Sequence, residues 1–454
     1  MTPGHETRLD KLLETGLVVC VVVAVAVFGG TEHISWNAVQ AALLLLGLVV
    51  MLRGTAEPSA APQSWLGFVA LLVLFGIAWL PFGERVFDRT AARDQALRLA
   101  SYASAFFVTL AVARSPKARR RLAAALVGLG VAEALYGLVQ YLTGWQRIFT
   151  YVKMYYLRDA TGTYINHNHF AGLLEMIIPL GVGLALWHAQ RALQPSDRRA
   201  RRSLGKLLGQ TELQKSLFLI FASLVCLLAI AFSQSRMGLI SSVTSILLLL
   251  ALLATRQGSR TLSAALLIAL LAAGVGLTFW IGVEPIVSRF ASLPAQESLH
   301  RQSGGRAAIW KDAVQLIRRH PWLGVGPGGF LTAFTEVQTV HLDQVVDHAH
   351  NDYLELTAEY GLLGATLLFG IIFTITARTL RAFYVPRGGA EPTLSLGVVG
   401  GLVALLLHGL TDFNLYIPAN GLVFVVLLGL GDSSAAELRE WTERRRAHHA
   451  VESN

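Results

Sequence analysis

The sequence predicts an all-α integral membrane protein of about twelve transmembrane helices with one large polar loop. Three observations carry that prediction. Apolar runs of near-spanning length recur along the whole chain. Only 15% of the residues are charged and 54% are hydrophobic, where a soluble domain carries about a quarter charged. Lys and Arg then gather in alternate connecting segments, the pattern that membrane insertion imposes.

Taken in order, the apolar runs place spans at roughly 13–30, 36–52, 65–81, 96–113, 121–142, 169–188, 214–233, 237–254, 261–282, 353–377, 394–412 and 418–432. The first run lacks a small-residue cleavage site and is followed by many others, so it reads as a retained span. An inner N-terminus puts 24 of the 38 Lys and Arg residues in inner segments, and an even span count leaves both termini cytoplasmic. The chain then divides into helices one to nine over 1–282, a periplasmic loop over 283–352, helices ten to twelve over 353–436 and a polar cytoplasmic tail over 437–454. The net charge of +9 belongs to the inner clusters and their contact with membrane lipid. No aromatic interleaving points to nucleic acid. Cys20 and Cys226 fall inside apolar runs and read as packing residues, with no disulfide or metal site implied.

The outer segments collect the unusual residues. After the third span come Glu84, Arg85, Asp88, Arg89, Arg93 and Asp94, expected as a short amphipathic surface helix. After the fifth come Trp145, Tyr151, Tyr155 and Tyr156, an interfacial aromatic belt, and then the Asn- and His-containing run from Gly162 to Phe170. Ser233 to Arg236 makes a tight turn between spans seven and eight, and the polar run Thr411 to Asn420 joins spans eleven and twelve.

Five of these outer residues are candidates for chemistry. Arg236 opens an apolar span, where a guanidinium either snorkels or meets an anion. Arg306 follows Gly304-Gly305 and precedes an Ala-rich run, which predicts a loop opening a helix with Arg306 in its first turn. Free backbone N–H groups and the guanidinium would hold an anion together there; a surface Arg on an amphipathic helix, paired with Asp312 or solvated, is the plainer reading. Two arginines on one face suit a diphosphate. His348, His350 and Asn351 stand just before the tenth span. His350 fits a general base if Asp347 or Asp352 orients its ring; a pair of interfacial histidines is the plainer reading. His167, His169, His348 and His350 with nearby Asp leave a metal reading open, on a weak ligand pattern. Gly-x-Gly-x-Gly within His320 to Phe330 has no surrounding βαβ unit, so it reads as a structural turn. Glu133, Glu175 and Glu359 fall inside spans with His408 near a span end, and such groups are functional candidates by position.

At these residues the chain resembles the O-antigen ligase and polymerase superfamily of polytopic bacterial glycosyltransferases. The resemblance is carried by Gly162 to Phe170, Ser235-Arg236, Gly305-Arg306 with Trp310, the turn His320 to Gly326, and His350-Asn351 leading into a span. It implies a glycosyltransferase-C-like membrane fold and transfer of a glycan from undecaprenyl diphosphate at the outer face of the inner membrane. Ligases of the family pass the glycan to lipid A–core, and polymerases pass it to another lipid-linked glycan or build exopolysaccharide. In the ligases two arginines bind the donor diphosphate and a histidine acts on the acceptor hydroxyl, with no metal or other cofactor. Those roles fall on Arg236, Arg306 and His350, with His348 and Asn351 as supporting substrate contacts. A solute transporter of the bicarbonate type is the alternative from another class. It calls for inverted repeats or helices broken at mid-membrane, and the sequence displays neither clearly.

Overall fold

The computed structural model describes residues 6–56, 87–193, 209–255, 296–339, 345–385 and 392–452. The spans expected at 65–81 and 261–282, and Glu84 and Arg85, lie outside those residues. The described chain forms α1 (Arg8–Ala26), α2 (His33–Ala56), α3 (Arg89–Val112), α4 (Pro116–Thr143), α5 (His167–Ala192), α6 (Thr211–Ser233) and α7 (Arg236–Ala254). It continues with α8 (Gln296–Arg319), the short α9 (Phe330–Phe334), α10 (Asp352–Tyr384), α11 (Pro392–His408) and α12 (Pro418–Glu452). Two two-residue strands, β1 (Arg147–Ile148) and β2 (Tyr151–Val152), pair antiparallel in the connection before α5. Eight of the described helices, α2 to α7, α10 and α12, are long and apolar enough to cross a membrane, and α11 is a shorter apolar helix. The ten expected spans that fall on described residues each coincide with one of these helices or with α1. The chain is a multi-pass helical membrane protein.

The bundle is built around α5, whose most apolar window is 94% buried. Small residues let α11 approach it closely. A Cβ on Gly183 would come within 2.6 Å of the Thr393 carbonyl, and one on Gly397 within 2.6 Å of the Pro179 carbonyl. Close backbone approach of this kind is the main source of helix packing where lipid removes the hydrophobic drive.

The two ends of the bundle differ chemically. One end is laced by ion pairs. Arg53 pairs with Asp10 and Arg119 with Glu437. Arg121 pairs with Glu14 at 2.6 Å and Glu6 at 3.1 Å, and Arg378 with Asp432 at 2.8 Å. The opposite end gathers the connections before α5, between α6 and α7, before α10 and between α11 and α12.

α10 positions that second end. At 33 residues it is about 50 Å long, against about 30 Å of hydrocarbon. It breaks at Gly361, which takes φ 65. The turn His320 to Gly326 fills the break. Val325 N–H donates to the Ala358 carbonyl at 2.9 Å and Gly326 N–H to the Glu359 carbonyl at 3.0 Å. Leu362 N–H donates to the Pro321 carbonyl at 2.7 Å. Backbone groups freed by the kink are thereby satisfied. Ile309, Ala313, Leu316, Val325, Phe330 and Phe334 pack with Ala349 and Ala358 into a second small core, so α8, α9 and the outer piece of α10 form one cap.

Three expectations are corrected. Asp88 caps α3 by accepting from Thr90 and Ala91 N–H, so Arg89, Arg93 and Asp94 belong to the span's own helix and not to a separate surface helix. α8 begins at Gln296, which puts Arg306 well inside a helix and not in its first turn. Asp312 is committed to Thr339, accepting from its N–H at 2.8 Å, and does not pair with Arg306.

Gly361→Ala would drive a methyl into the Trp322 carbonyl at a positive φ. It is expected to lower stability by about 1–3 kcal/mol, read as a lower melting midpoint in detergent. Gly370→Ala, with nothing within 4 Å, should leave that midpoint unchanged or raise it.

Candidate functional site

Three histidines surround one carboxylate at the second end. Asp412 is 1% exposed and lies just past α11. His169 Nε2 stands 3.8 Å from its Oδ1, His350 Nδ1 3.9 Å from the same oxygen, and His408 Nε2 4.0 Å from Oδ2. These separations are ion-pair contacts, longer than hydrogen bonds. Among the described residues neither His169 Nε2 nor His350 Nδ1 has a hydrogen-bond partner. Burial works against the Asp412 charge, but the His169 and His350 rings, with His408 behind, hold the carboxyl well below its usual range. The cluster extends inward: His408 Nδ1 is 3.0 Å from Glu175 Oε2, and Ser241 Oγ donates to that oxygen at 2.6 Å. Ser241 lies on α7, five residues after Arg236.

The loop ahead of α10 presents two histidines differently. His348 Nδ1 donates to Glu355 Oε1 at 2.6 Å, and Ala349 N–H to Glu355 Oε2 at 2.8 Å. The His348 ring stacks on Phe413 at 3.9 Å and 13°. Burial opposes the charged ring, but the Glu355 carboxylate, helped by Asp347 and Glu359, raises its pKa. His350 adopts φ 49, a left-handed conformation. Such backbone strain gathers at functional positions. Its side chain is partly open and meets Phe413 edge-on at 5.0 Å. Asn351 is spent on structure. Its Oδ1 accepts from Tyr353 and Leu354 N–H at 3.0 Å, capping α10, while Nδ2 donates to the Leu410 carbonyl at 2.8 Å.

Both arginines reach this end. Arg306 is half-buried, one turn before Trp310 on α8. The Trp310 indole N–H donates to the Ala349 carbonyl at 3.0 Å, which ties α8 to the residue between the two histidines. The Arg306 charge acts on both His408 and Tyr156. Burial raises the Tyr156 phenol, Asp412 and Asp159 add to this, and Arg306 opposes it. Tyr156 thus stands among those three charges, its ring 4.3 Å from His167. His167 Nδ1 pairs with Asp159 Oδ2 at 2.7 Å. Arg236 is exposed at the first position of α7, where Ser235 Oγ caps the helix by accepting from Gly238 N–H. The turn before it is fixed by Gln234, in the left-handed region, whose amide donates to the Arg158 carbonyl, and by Ala160 N–H donating to the Phe232 carbonyl. Among the described residues neither Arg236 nor Arg306 has an ion pair.

The intra-span carboxylates hold these loops. Glu133 accepts from Thr163 N–H at 2.9 Å and Oγ1 at 3.0 Å, and a Cβ on Gly162 would overlap it. Glu359 accepts from Tyr416 O–H at 2.8 Å and Phe330 N–H at 3.3 Å. Beside Tyr416 an apolar groove runs between α3, α10 and α12. Leu99, Phe106, Leu368, Ile372 and Phe424 line it, with Arg98 and Tyr416 near its upper end.

Arg236, Arg306, His348 and His350 therefore gather at one end of the bundle. The carboxylate facing His350 is Asp412, and not Asp347 or Asp352 as sequence proximity suggested. Asp352 is buried and accepts from Leu415 N–H at 3.2 Å. The polar run Thr411 to Asn420 was the sequence's one sign of Asp412. Among the described residues no group of three or more His, Cys, Asp or Glu side chains is arranged to hold a metal ion.

Residues 221–369 match the model of a protein family described as O-antigen ligase. The match includes Arg236, Arg306, His348 and His350, so the resemblance drawn from the motifs holds over that stretch. No curated protein matches the chain.

A pKa raised by folding contributes stability that is complete below the unfolded value of about 6.5 and is lost as pH rises through the folded value. The excess stability of wild type over Glu355→Gln should therefore be largest near pH 6 and shrink above neutrality. Melting midpoints in detergent at pH 6, 7.5 and 9 check this.

Proposed function

We propose that this protein transfers a glycan from undecaprenyl diphosphate to a hydroxyl of a lipid or glycan acceptor. The observation that carries the reading is the gathering of Arg236, Arg306 and His350 at one end of the bundle, within the segment that matches the O-antigen ligase family. In this reading Arg236 and Arg306 bind the donor diphosphate. Each has its guanidinium uncommitted among the described residues, as a fork-shaped anion binder requires. The diphosphate is already a good leaving group, so its developing charge needs neutralising more than its oxygen needs a proton.

His350 accepts the proton of the acceptor hydroxyl as that oxygen attacks the anomeric carbon. The new C–O bond forms on one face while the bond to diphosphate breaks on the other, which inverts the anomeric centre. Asp412, 3.9 Å away, orients the ring and stabilises the imidazolium; such contacts tighten when substrate arrives. His348 supports the acceptor side, and Asn351 sets the direction of the loop through its cap. No step requires a metal or a cofactor. The apolar groove beside Tyr416 suits the polyprenyl tail, which would leave the diphosphate at the polar end.

The bundle belongs in this reading to the bacterial inner membrane. Its ion-paired basic end faces the cytoplasm with both termini, and the site end, with α8 and α9, faces the periplasm. The positive-inside bias supports this sidedness. Lipid A–core is the acceptor for a ligase, and a second lipid-linked glycan for a polymerase.

Arg236→Ala, Arg306→Ala and His350→Ala should each cut glycan transfer by roughly a hundredfold or more while eluting as folded protein in detergent. Asp412→Asn should cost about tenfold or more by losing the ring's orientation. Transfer is expected to survive a strong chelator. Normal transfer by the His350 variant removes the mechanism. Gel analysis of surface polysaccharide in a deletion strain separates the acceptors: unmodified core with long lipid-linked chains indicates a ligase, single-repeat chains a polymerase.

A further inference from the structure

The connection between α4 and α5 carries a tyrosine that the transfer mechanism does not use. Tyr156 adopts φ 55, a conformation that a bulky residue enters only against steric resistance. Such a residue stays there when its surroundings over-determine the backbone, and here they do. Asp159 N–H donates to the Tyr156 carbonyl at 3.2 Å, closing a turn. The buried Lys153 donates from Nζ to the Asp159 carbonyl at 3.0 Å, and its N–H donates to the Gln146 carbonyl at 3.0 Å. On the far side the Gln234 amide donates to the Arg158 carbonyl at 3.4 Å, and Ala160 N–H to the Phe232 carbonyl at 3.0 Å. The turn that carries Arg236 therefore also fixes the segment that carries Tyr156.

A second set of contacts braces the side chain. Its ring lies 4.3 Å from His167 at 31°, and Asp159 Oδ2 holds that imidazole from 2.7 Å. His167 opens α5 two residues before His169, whose Nε2 faces Asp412. Tyr156 remains 38% exposed, so a substrate can reach it. Among the described residues its hydroxyl makes no hydrogen bond. The charges of Asp412, Asp159 and Arg306 all act on the phenol. A tyrosine of an interfacial belt offers its hydroxyl to lipid headgroups and needs neither a strained backbone nor a braced ring to do so.

We propose that the Tyr156 hydroxyl binds the first sugar of the donor, the one joined to diphosphate, by donating to one of its hydroxyl or acylamino oxygens. The inference rests on the glycan-transfer reading. In that reading Arg306 holds the diphosphate, and Asp412 backs the His350 ring that meets the acceptor. The sugar bearing the anomeric carbon fills the interval between those two groups, and Tyr156 stands in the field of both. The phenol thus recognises the group that is transferred and not the group that leaves.

The test compares two lipids on the full-length protein in detergent, with retention read by native mass spectrometry. One is undecaprenyl diphosphate alone; the other is the glycan-bearing lipid extracted from a strain that lacks this protein. Wild type should retain both. Tyr156→Phe keeps the ring and its stack on His167 and removes only the hydroxyl. It should weaken retention of the glycan-bearing lipid roughly tenfold, the scale of one lost hydrogen bond, and leave bare undecaprenyl diphosphate within about twofold of wild type. Arg306→Ala should weaken both. Unchanged retention of the glycan-bearing lipid by Tyr156→Phe, in protein that elutes and melts as wild type does, overturns the inference and returns Tyr156 to the belt. Equal weakening of both lipids in such protein overturns it too, because the hydroxyl would then serve the diphosphate. Retention of neither lipid by wild type removes the donor reading itself, so the two failures are told apart.

Discussion

A carboxylate removed from water must find hydrogen-bond donors or opposite charge, or take up a proton. The site end of this protein is built from repeated instances of that constraint. Glu133 takes both donors of Thr163, Glu355 takes His348 and the Ala349 N–H, and Glu359 takes Tyr416 and the Phe330 N–H. Each acid sits on a long helix, and its donors come from a loop or from a short helical turn within a connection. The loop is fixed because any other position leaves a buried acid unsatisfied. Glu175 works the same way at greater depth, where Ser241 and His408 meet it from α7 and α11. Helix packing sets where these acids stand, and the acids set where the loops stand.

Asp412 differs in kind. Its three imidazole neighbours lie just beyond hydrogen-bond range, and the nitrogens of His169 and His350 that face it have no hydrogen-bond partner among the described residues. Glu133, Glu355 and Glu359 each accept hydrogen bonds at both oxygens. Asp412 holds its imidazole partners by charge alone and leaves them able to move a short way. Rigid tethers around a loosely held centre provide positioning without freezing the group that handles the proton.

Much of this was legible in the sequence, for identifiable reasons. Apolar runs in lipid admit few structures other than helices, so the described spans fell where the runs placed them. Ser235 before Arg236 is a local cap signal, and the tight turn followed from the short gap between runs. The start of α8 was misread because Gly304 and Gly305 argue for a loop. Each costs a helix only about 1 kcal/mol, which the packing of Ile309, Ala313 and Leu316 offsets. The partner of His350 was sought among its neighbours, whereas Asp412 arrives from across α10 and α11. No local pattern encodes that pairing. Asn351 carries a readable N-cap signal, and its Oδ1 caps α10.

The break in α10 has a mechanical consequence. Pro321, Val325 and Gly326 stitch the cap to both sides of Gly361, and Trp310 stitches α8 to Ala349. Arg306 and His350 therefore ride on one stiff block. Arg236 belongs to a different block, clamped through Gln234 and Phe232 to the connection before α5. Any breathing of the structure changes the gap between the blocks far more than the spacing within either, so a molecule spanning the seam would act as the wedge or the latch that sets how far it opens.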